Sequence, residues 1–260
     1  MEQSLELALI LVMTCALIVA VSLAGNELAR RERLKTARRD VRLFTVVPTR
    51  AGVVASSFNV ATFTAKLSSR ERAAWLKLPR YTPSGYKQLS LPADLRARLR
   101  VKAAEITMKS ESNYHLVGAV EVGSLAHSAI EKELVTWLSE NIRQWSGQKQ
   151  LTFINSYGPR TYHKGATLLA HGDRIDTHAL SAIVFLGQTQ GESWPLQFVT
   201  NHARTQDSVM NVVFGDDTDV LLYESTQPHG RVTPLDADSY TAMFLHWKPK
   251  GWSEAVKRLL

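Results

Sequence analysis

The chain has a single cysteine among its 260 residues. Cys15 lies inside an apolar run, so no intramolecular disulfide can form. Thiol catalysis and cysteine-ligated metals are thereby excluded from the rest of the sequence. There is also no internal repeat and no low-complexity tract, which leaves one non-repetitive domain. Outside one short segment there is little excess charge. Residues Arg30 to Arg50 hold eight Lys/Arg against Glu32 and Asp40, a local +6, leaving +1 of the total +7 for everything else. The high isoelectric point therefore does not describe a nucleic-acid groove, and no nucleic-acid partner is expected.

The longest apolar run is Leu7 to Ala24, 18 residues without a charge. That is close to the roughly 20 residues a helix needs to cross a bilayer. Ser22-Leu23-Ala24 resembles a cleavage site for a signal peptide, but the preceding MEQSLE carries two acids and no base, the reverse of a signal-peptide n-region. The expectation is a single uncleaved anchor over residues 1–29, followed by a basic juxtamembrane segment and linker over 30–70. By the positive-inside rule the bulk of the chain then lies on the cytoplasmic side, with a lumenal orientation as the alternative. The same basic cluster suits anionic headgroups.

Residues 71–260 have the length of one domain with its own core. Leu91 to Met108 reads as a helix with Pro92 in its first turn. Ser128 to Gly147 reads as a second helix, with a Ser128/Glu131 capping box, an apolar stripe at Ile130, Leu134, Leu138, Ile142 and Trp145, and Gly147 as its stop. From Leu151 the pattern changes to short runs: LTFINSY, ATLLAH, ALSAIVFL, LQFVT, SVMNVVF, VLLYES and SYTAMFLHW. Turn residues separate them, among them Gly158-Pro159, Gly191 and Gly215-Asp216-Asp217. Helices first and many short strands second predict an α+β fold, a jelly roll backed by a helical layer.

Two histidines and a carboxylate stand out within these strands. His171-Gly-Asp173 places two ligand types at i and i+2, and His229 follows in Gln-Pro-His229-Gly-Arg231. Two imidazoles and one carboxylate suit one face of a ferrous ion and leave other positions open. If the strand is regular, His171 and Asp173 share a face. The blocks around them resemble the Fe(II)/2-oxoglutarate-dependent dioxygenases, in particular the prolyl-4-hydroxylase-like branch. They are Tyr162 to Arg174, Asp176 to Ile183, Trp194-Pro-Leu, Leu222-Tyr-Glu-Ser225, His229-Gly-Arg231 and Phe244 to Pro249, covering roughly residues 150–250. The resemblance implies a double-stranded β-helix, iron ligands His171, Asp173 and His229, and Tyr162 lining the pocket. It also implies 2-oxoglutarate and O2 as co-substrates, ascorbate as an auxiliary reductant, release of succinate and CO2, and peptidyl proline as one substrate class.

Two positions depart from the family. A Lys or Arg nine or ten residues after the distal histidine binds the far carboxylate of 2-oxoglutarate, but Asp238 and Ser239 stand there. Leu168 stands where many prolyl hydroxylases have a tyrosine. Arg231, two residues beyond His229, is the candidate replacement, able to hold a carboxylate through two parallel hydrogen bonds. Arg174 should point away from Asp173. Asp238 and Ser239 also motivate a second reading, a degenerate oxygenase fold that binds without turnover. A zinc hydrolase ranks last, since no Glu base accompanies the histidines as in His-Glu-x-x-His. A surface turn with an Asp173–Arg174 ion pair is the bland alternative for the triad. His178 is expected to be a hydrogen-bonding core residue, and His163, His202 and His246 structural or surface residues. Trp194 and Trp247 are expected to pack, Trp194 near a rim loop. Tyr223, Glu224 and Ser225 are candidates for orienting the ligands.

Overall fold

The computed structural model describes residues 69–199, 209–213, 215 and 218–259. The expected anchor, nearly all of the basic linker, His202, Asp216 and Asp217 lie outside them. Among the described residues no helix is long and apolar enough to cross a membrane.

In chain order the elements are α1 (Ser69–Leu76), β1 (Tyr86–Leu89), α2 (Ala93–Ala104), β2 (Lys109–Ser110), β3 (Leu116–Val117), β4 (Val120–Val122) and α3 (Ala129–Ser146). They continue with β5 (Leu151–His163), β6 (Thr167–His171), β7 (Leu180–Gln188), β8 (Leu196–Val199), β9 (Val209–Val212), β10 (Val220–Glu224), β11 (His229–Arg231), β12 (Ser239–Pro249) and α4 (Trp252–Leu259). The strands form two antiparallel sheets, one of order β1-β10-β7-β12-β5-β4-β2 and one of order β3-β6-β11-β8-β9. This is the expected jelly roll with its helical layer.

The helix at α3 follows from its sequence. Ser128 caps it by accepting from the Glu131 N–H at 3.2 Å. Glu131 turns back to accept from the His127 N–H, and Gly147 ends it in the left-handed conformation at φ 70°. The apolar stripe faces the larger sheet: Leu134, Leu138 and Ile142 join Leu95 and Leu99 of α2 against Leu180, Ala182, Val184, Leu222, Leu245 and Trp247. The opposite face of the same strands points into the roll, where Ile183, Phe185, Leu221, Tyr223 and Ala242 meet Leu196 and Phe198 of the smaller sheet. Strands covered on both faces read as continuous apolar runs, which is why ALSAIVFL shows no alternation.

The expected turn at Gly158-Pro159 is instead inside β5. The two residues form a bulge where the register against β12 shifts between Ala242 and Phe244. Pro159 has no N–H to give the ladder, and the strand resumes at Arg160. At one end of the roll α1 and α4 pack Trp75, Trp252 and Val256 on Ile175 and Ala179. Trp252 donates to the Ile175 carbonyl at 2.7 Å, and Trp75 to the Thr226 carbonyl at 3.0 Å. These two indoles brace the loops that follow β6 and precede β11.

Candidate metal centre

β6 and β11 are antiparallel neighbours in the smaller sheet, and their register sets His229 directly opposite His171. The imidazole centroids are 4.5 Å apart. The close approach depends on Gly230, since a Cβ there would lie 2.9 Å from the Leu168 carbonyl and 3.0 Å from the Ala170 backbone. Asp173 arrives differently from the sequence expectation. β6 ends at His171, so Asp173 is not on a regular strand. Its N–H donates to the Ser225 carbonyl at 3.0 Å, which ties it to the loop that precedes β11 and sets its carboxylate beside the histidines. One ligand atom from each of His171, Asp173 and His229 lies within 4.8 Å of the others.

Hydrogen bonds fix which atoms face inward. His171 Nδ1 lies 2.8 Å from the Leu169 carbonyl, and His229 Nδ1 lies 2.9 Å from the Gln227 carbonyl. A carbonyl only accepts, so both Nδ1 atoms carry the proton and both Nε2 lone pairs are available. Asp173 divides its two oxygens. Oδ2 accepts from Tyr223 Oη at 2.7 Å and from Ser181 Oγ at 3.4 Å, while Oδ1 lies 3.9 Å from His229 Nε2. The result is two neutral imidazole donors and one oxygen donor converging, with a second layer fixing each. This donor set fits a divalent metal ion of the iron type with further positions open.

The protonation states agree. Burial drives His171 well below the usual histidine range, with His115 and His229 adding to it. Burial alone would raise Asp173, but His229, His246, His178 and His171 outweigh it and keep the carboxylate ionised. Burial drives Tyr223 well above its usual range, so it stays a donor.

Other residues divide between those that follow the sequence reading and those that do not. Of the three candidates to orient the ligands, Tyr223 contacts Asp173 directly, and Ser225 acts through Ser181, Oγ to Oγ 2.6 Å. Glu224 serves elsewhere, accepting from Tyr81 and Thr82 N–H at 3.1 and 2.8 Å. His246, expected to be structural or surface, is buried and 2.7 Å from Ser181 Oγ through Nδ1. Burial, with the neighbouring His178, pushes its pKa down to about 3. His178 is the expected core histidine, stacked on His246 at 3.9 Å and bonded to Thr177 Oγ1 at 2.9 Å. The bland Asp173–Arg174 pair is absent: Arg174 bonds Asp176 at 3.2 Å. His163 pairs with Glu121 at 2.9 Å, away from the ligands. Trp247 packs as expected and donates to Ser139 Oγ at 3.0 Å.

One neighbour of the centre was missed in the sequence. His115 precedes β3, and its carbonyl accepts from the Leu169 N–H at 2.8 Å. That diagonal position stacks its ring on His171 at 4.4 Å. Tyr114, half-exposed, stands against His115 at 4.1 Å. Burial pushes His115 down to about 4. Nothing in the spacing of Tyr114-His115 signals this contact, because it depends on pairing between β3 and β6.

Deeper in the roll lies an aromatic box around a buried arginine. Arg231 Nη2 donates to Tyr240 Oη at 2.7 Å, and Nη1 donates to the Trp194 carbonyl. The guanidinium sits 4.3 Å from the Tyr240 ring centre and 4.8 Å from that of Trp194. Tyr162 closes the box, 5.0 Å from Trp194. Trp194 is thus buried and packs as expected, with the exposed residues 189–193 beside it. Asp238 is exposed, and Ser239 bonds Thr189 near the surface. The first buried residue of the last strand is Tyr240, so the acidic departure just before it lies toward the surface.

No family model matches the chain, and no curated protein matches it by sequence. Solved structures do. HygX from Streptomyces hygroscopicus, with nickel and 2-oxoglutarate bound, matches at a TM-score of 0.50 and 14% identity, over 64% of this chain and 84% of that one. The non-haem α-ketoglutarate-dependent epimerase SnoN from nogalamycin biosynthesis matches at 0.50 and 15%, over 70% and 83%. A Pseudomonas putida prolyl-4-hydroxylase gives 0.45 and 17%, over 65% and 94%. The chain therefore has the fold of HygX and SnoN, with a His-Asp-His set placed where it could hold a metal ion.

Proposed function

We propose that this chain is an Fe(II)- and 2-oxoglutarate-dependent oxygenase that hydroxylates its substrate. The observation that carries the reading is the donor arrangement: His171 and His229 held as Nδ1–H tautomers and Asp173 left with one unbonded oxygen toward them. Ferrous iron with 2-oxoglutarate and O2 supplies an oxidative decarboxylation to succinate and CO2 that delivers one oxygen atom to substrate. The residues of the chain do the rest. His171, Asp173 and His229 hold the metal on one side of its coordination sphere. Tyr223 and Ser181 hold Asp173 Oδ2, so that Oδ1 is the ligand atom.

Arg231 is the residue we assign to the far carboxylate of 2-oxoglutarate, with Tyr162 beside it. A buried guanidinium framed by Trp194, Tyr240 and Tyr162 is a site from which water is excluded, where a bidentate carboxylate contact is strong. The charge comes from the strand that carries the distal histidine, and Tyr240 takes the inward position on the last strand. HygX, whose structure holds nickel and 2-oxoglutarate, shares this fold, which supports a 2-oxoglutarate site in this chain but names no residue for it.

Two finer points belong to the same proposal. The run Leu7 to Ala24 anchors the enzyme in a membrane, and the basic cluster after it keeps the domain on the cytoplasmic side; the apolar length and charge order support both. Peptidyl proline is the substrate class, supported by the sequence blocks around the triad. The test of the activity is succinate formation from 2-oxoglutarate by the iron-loaded protein. Wild type should form succinate, and His171→Ala should lose it by at least about a hundredfold. Equal turnover by the two proteins would remove the assignment.

A further inference from the structure

Tyr162 has a hydroxyl only half used by the protein. Its oxygen accepts from Arg160 Nη1 at 3.2 Å. Among the described residues, no protein acceptor takes its proton. The ring is buried in the box that holds Arg231, so the unused O–H belongs to the interior.

Arg160 is itself clamped. Nε and Nη2 each donate to a different oxygen of Glu111 at 2.7 Å, a fork-to-fork pair. Glu111 also accepts from Tyr157 Oη at 2.8 Å and Asn113 Nδ2 at 3.0 Å, which fills the carboxylate. The guanidinium lies 4.6 Å from the Tyr157 ring centre and 5.1 Å from that of Phe244. Both partners are nearly buried, with 13% and 10% of their side chains exposed. Glu111 neutralises Arg160, so the pair is not a free cation for an anionic ligand. Its remaining contact of consequence is the single donor on Tyr162.

We propose that Arg160, clamped by Glu111, is a positioning residue that occupies the acceptor side of the Tyr162 hydroxyl and so commits its proton to the 2-oxoglutarate carboxylate held by Arg231. An isolated tyrosine hydroxyl can rotate between donating and accepting. With the Arg160 N–H on its oxygen, the hydroxyl turns its proton away from Arg160, and the donor is oriented before the ligand arrives. The inference rests on the co-substrate reading above.

The test measures 2-oxoglutarate binding to the nickel-loaded full-length chain in detergent by calorimetry, where no turnover occurs. Arg160→Lys keeps a charge against Glu111 but cannot reach Glu111 and Tyr162 with one fork. It should weaken 2-oxoglutarate about tenfold, as loss of one charge-assisted hydrogen bond does, while nickel affinity stays unchanged. In the Tyr162→Phe background the same substitution should cause no further loss, because the hydroxyl it acts through is gone. Wild-type binding to Arg160→Lys, or an undiminished loss in the Tyr162→Phe background, overturns the inference. A wild-type chain that binds nickel but no 2-oxoglutarate overturns the co-substrate reading instead, and this inference with it. If Arg160→Lys does not fold, Glu111→Gln serves: a smaller loss in the same direction supports the clamp, and no loss rejects it.

Discussion

The two sheets of the roll do different work. The larger one has long strands, thirteen residues in β5 and eleven in β12, and is covered by α2 and α3 on its outer face. The smaller one is built of strands of two to five residues. Yet both histidine ligands stand on the smaller sheet, and the carboxylate ligand is tied to the larger one through Tyr223, Ser181 and His246. The centre therefore sits on a seam. The well-packed sheet supplies the fixed reference, and the thin sheet supplies the imidazoles, held by one close strand contact at Gly230. A metal ion held by His171, Asp173 and His229 would join the two, so its binding should stabilise the thin side more than the thick one.

That contrast can be broken from either side. On the thick side, Leu138→Ala removes a fully buried side chain between α3 and the sheet and should cost about 2–5 kcal/mol of stability in denaturant unfolding. Metal affinity of the remaining folded protein should stay unchanged. A parallel loss of metal affinity would mean that the sheets are not separable in this way. Gly230→Ala, on the thin side, forces β11 off β6 and should cost about 1–3 kcal/mol. Here metal affinity should fall with stability, and added metal should recover part of the melting temperature. Unaltered metal binding in this variant would contradict the role given to the close contact. Tyr223→Phe acts on the seam itself and should weaken metal binding about 10–100-fold, with little change in the apo-protein's melting point.

The smallest effect is on pH. His246 keeps its proton off down to about pH 3 in the folded apo-protein, against an ordinary value of 6.5, and His115 down to about 4. Between these values the unfolded chain binds more protons than the folded one. Stability is thus full above pH 6.5, declines as pH falls through that window, and levels off below about 3. From pH 7 to pH 6 each such imidazole should cost about 0.7 kcal/mol. His246→Asn should flatten part of that slope in melting scans, and an unchanged slope would show that His246 is protonated in the folded state.

How much was legible in the sequence follows the same division. The capped helix α3 and the strand runs are local patterns, each read from residues close in sequence, while the ligand set was legible through the motif blocks that resemble a known family. Parity presumes regular backbone, but β6 ends at His171, so the strand argument does not reach Asp173. That Trp194 packs is legible in the sequence; that it packs on Arg231, thirty-seven positions away, is not. His115 and the Arg160–Glu111 clamp were invisible for a like reason: β3 meets β6, and Glu111 meets Arg160, only through pairings that no periodicity encodes. The short elements α1, β1 to β4 and α4 carry too few residues for a period to show. The anchor and basic linker, clear as sequence, belong to residues outside those described.

On the proposed reading, one seam between the sheets holds a metal ion and 2-oxoglutarate together. Anaerobic titration of the full-length chain with Fe(II) and 2-oxoglutarate, followed by visible absorption, tests it most directly. The account predicts a weak charge-transfer band that appears only when both are present and is lost in Arg231→Met. Iron binding with no such band at any 2-oxoglutarate concentration would contradict it, and would leave a domain of this fold that binds metal without the co-substrate.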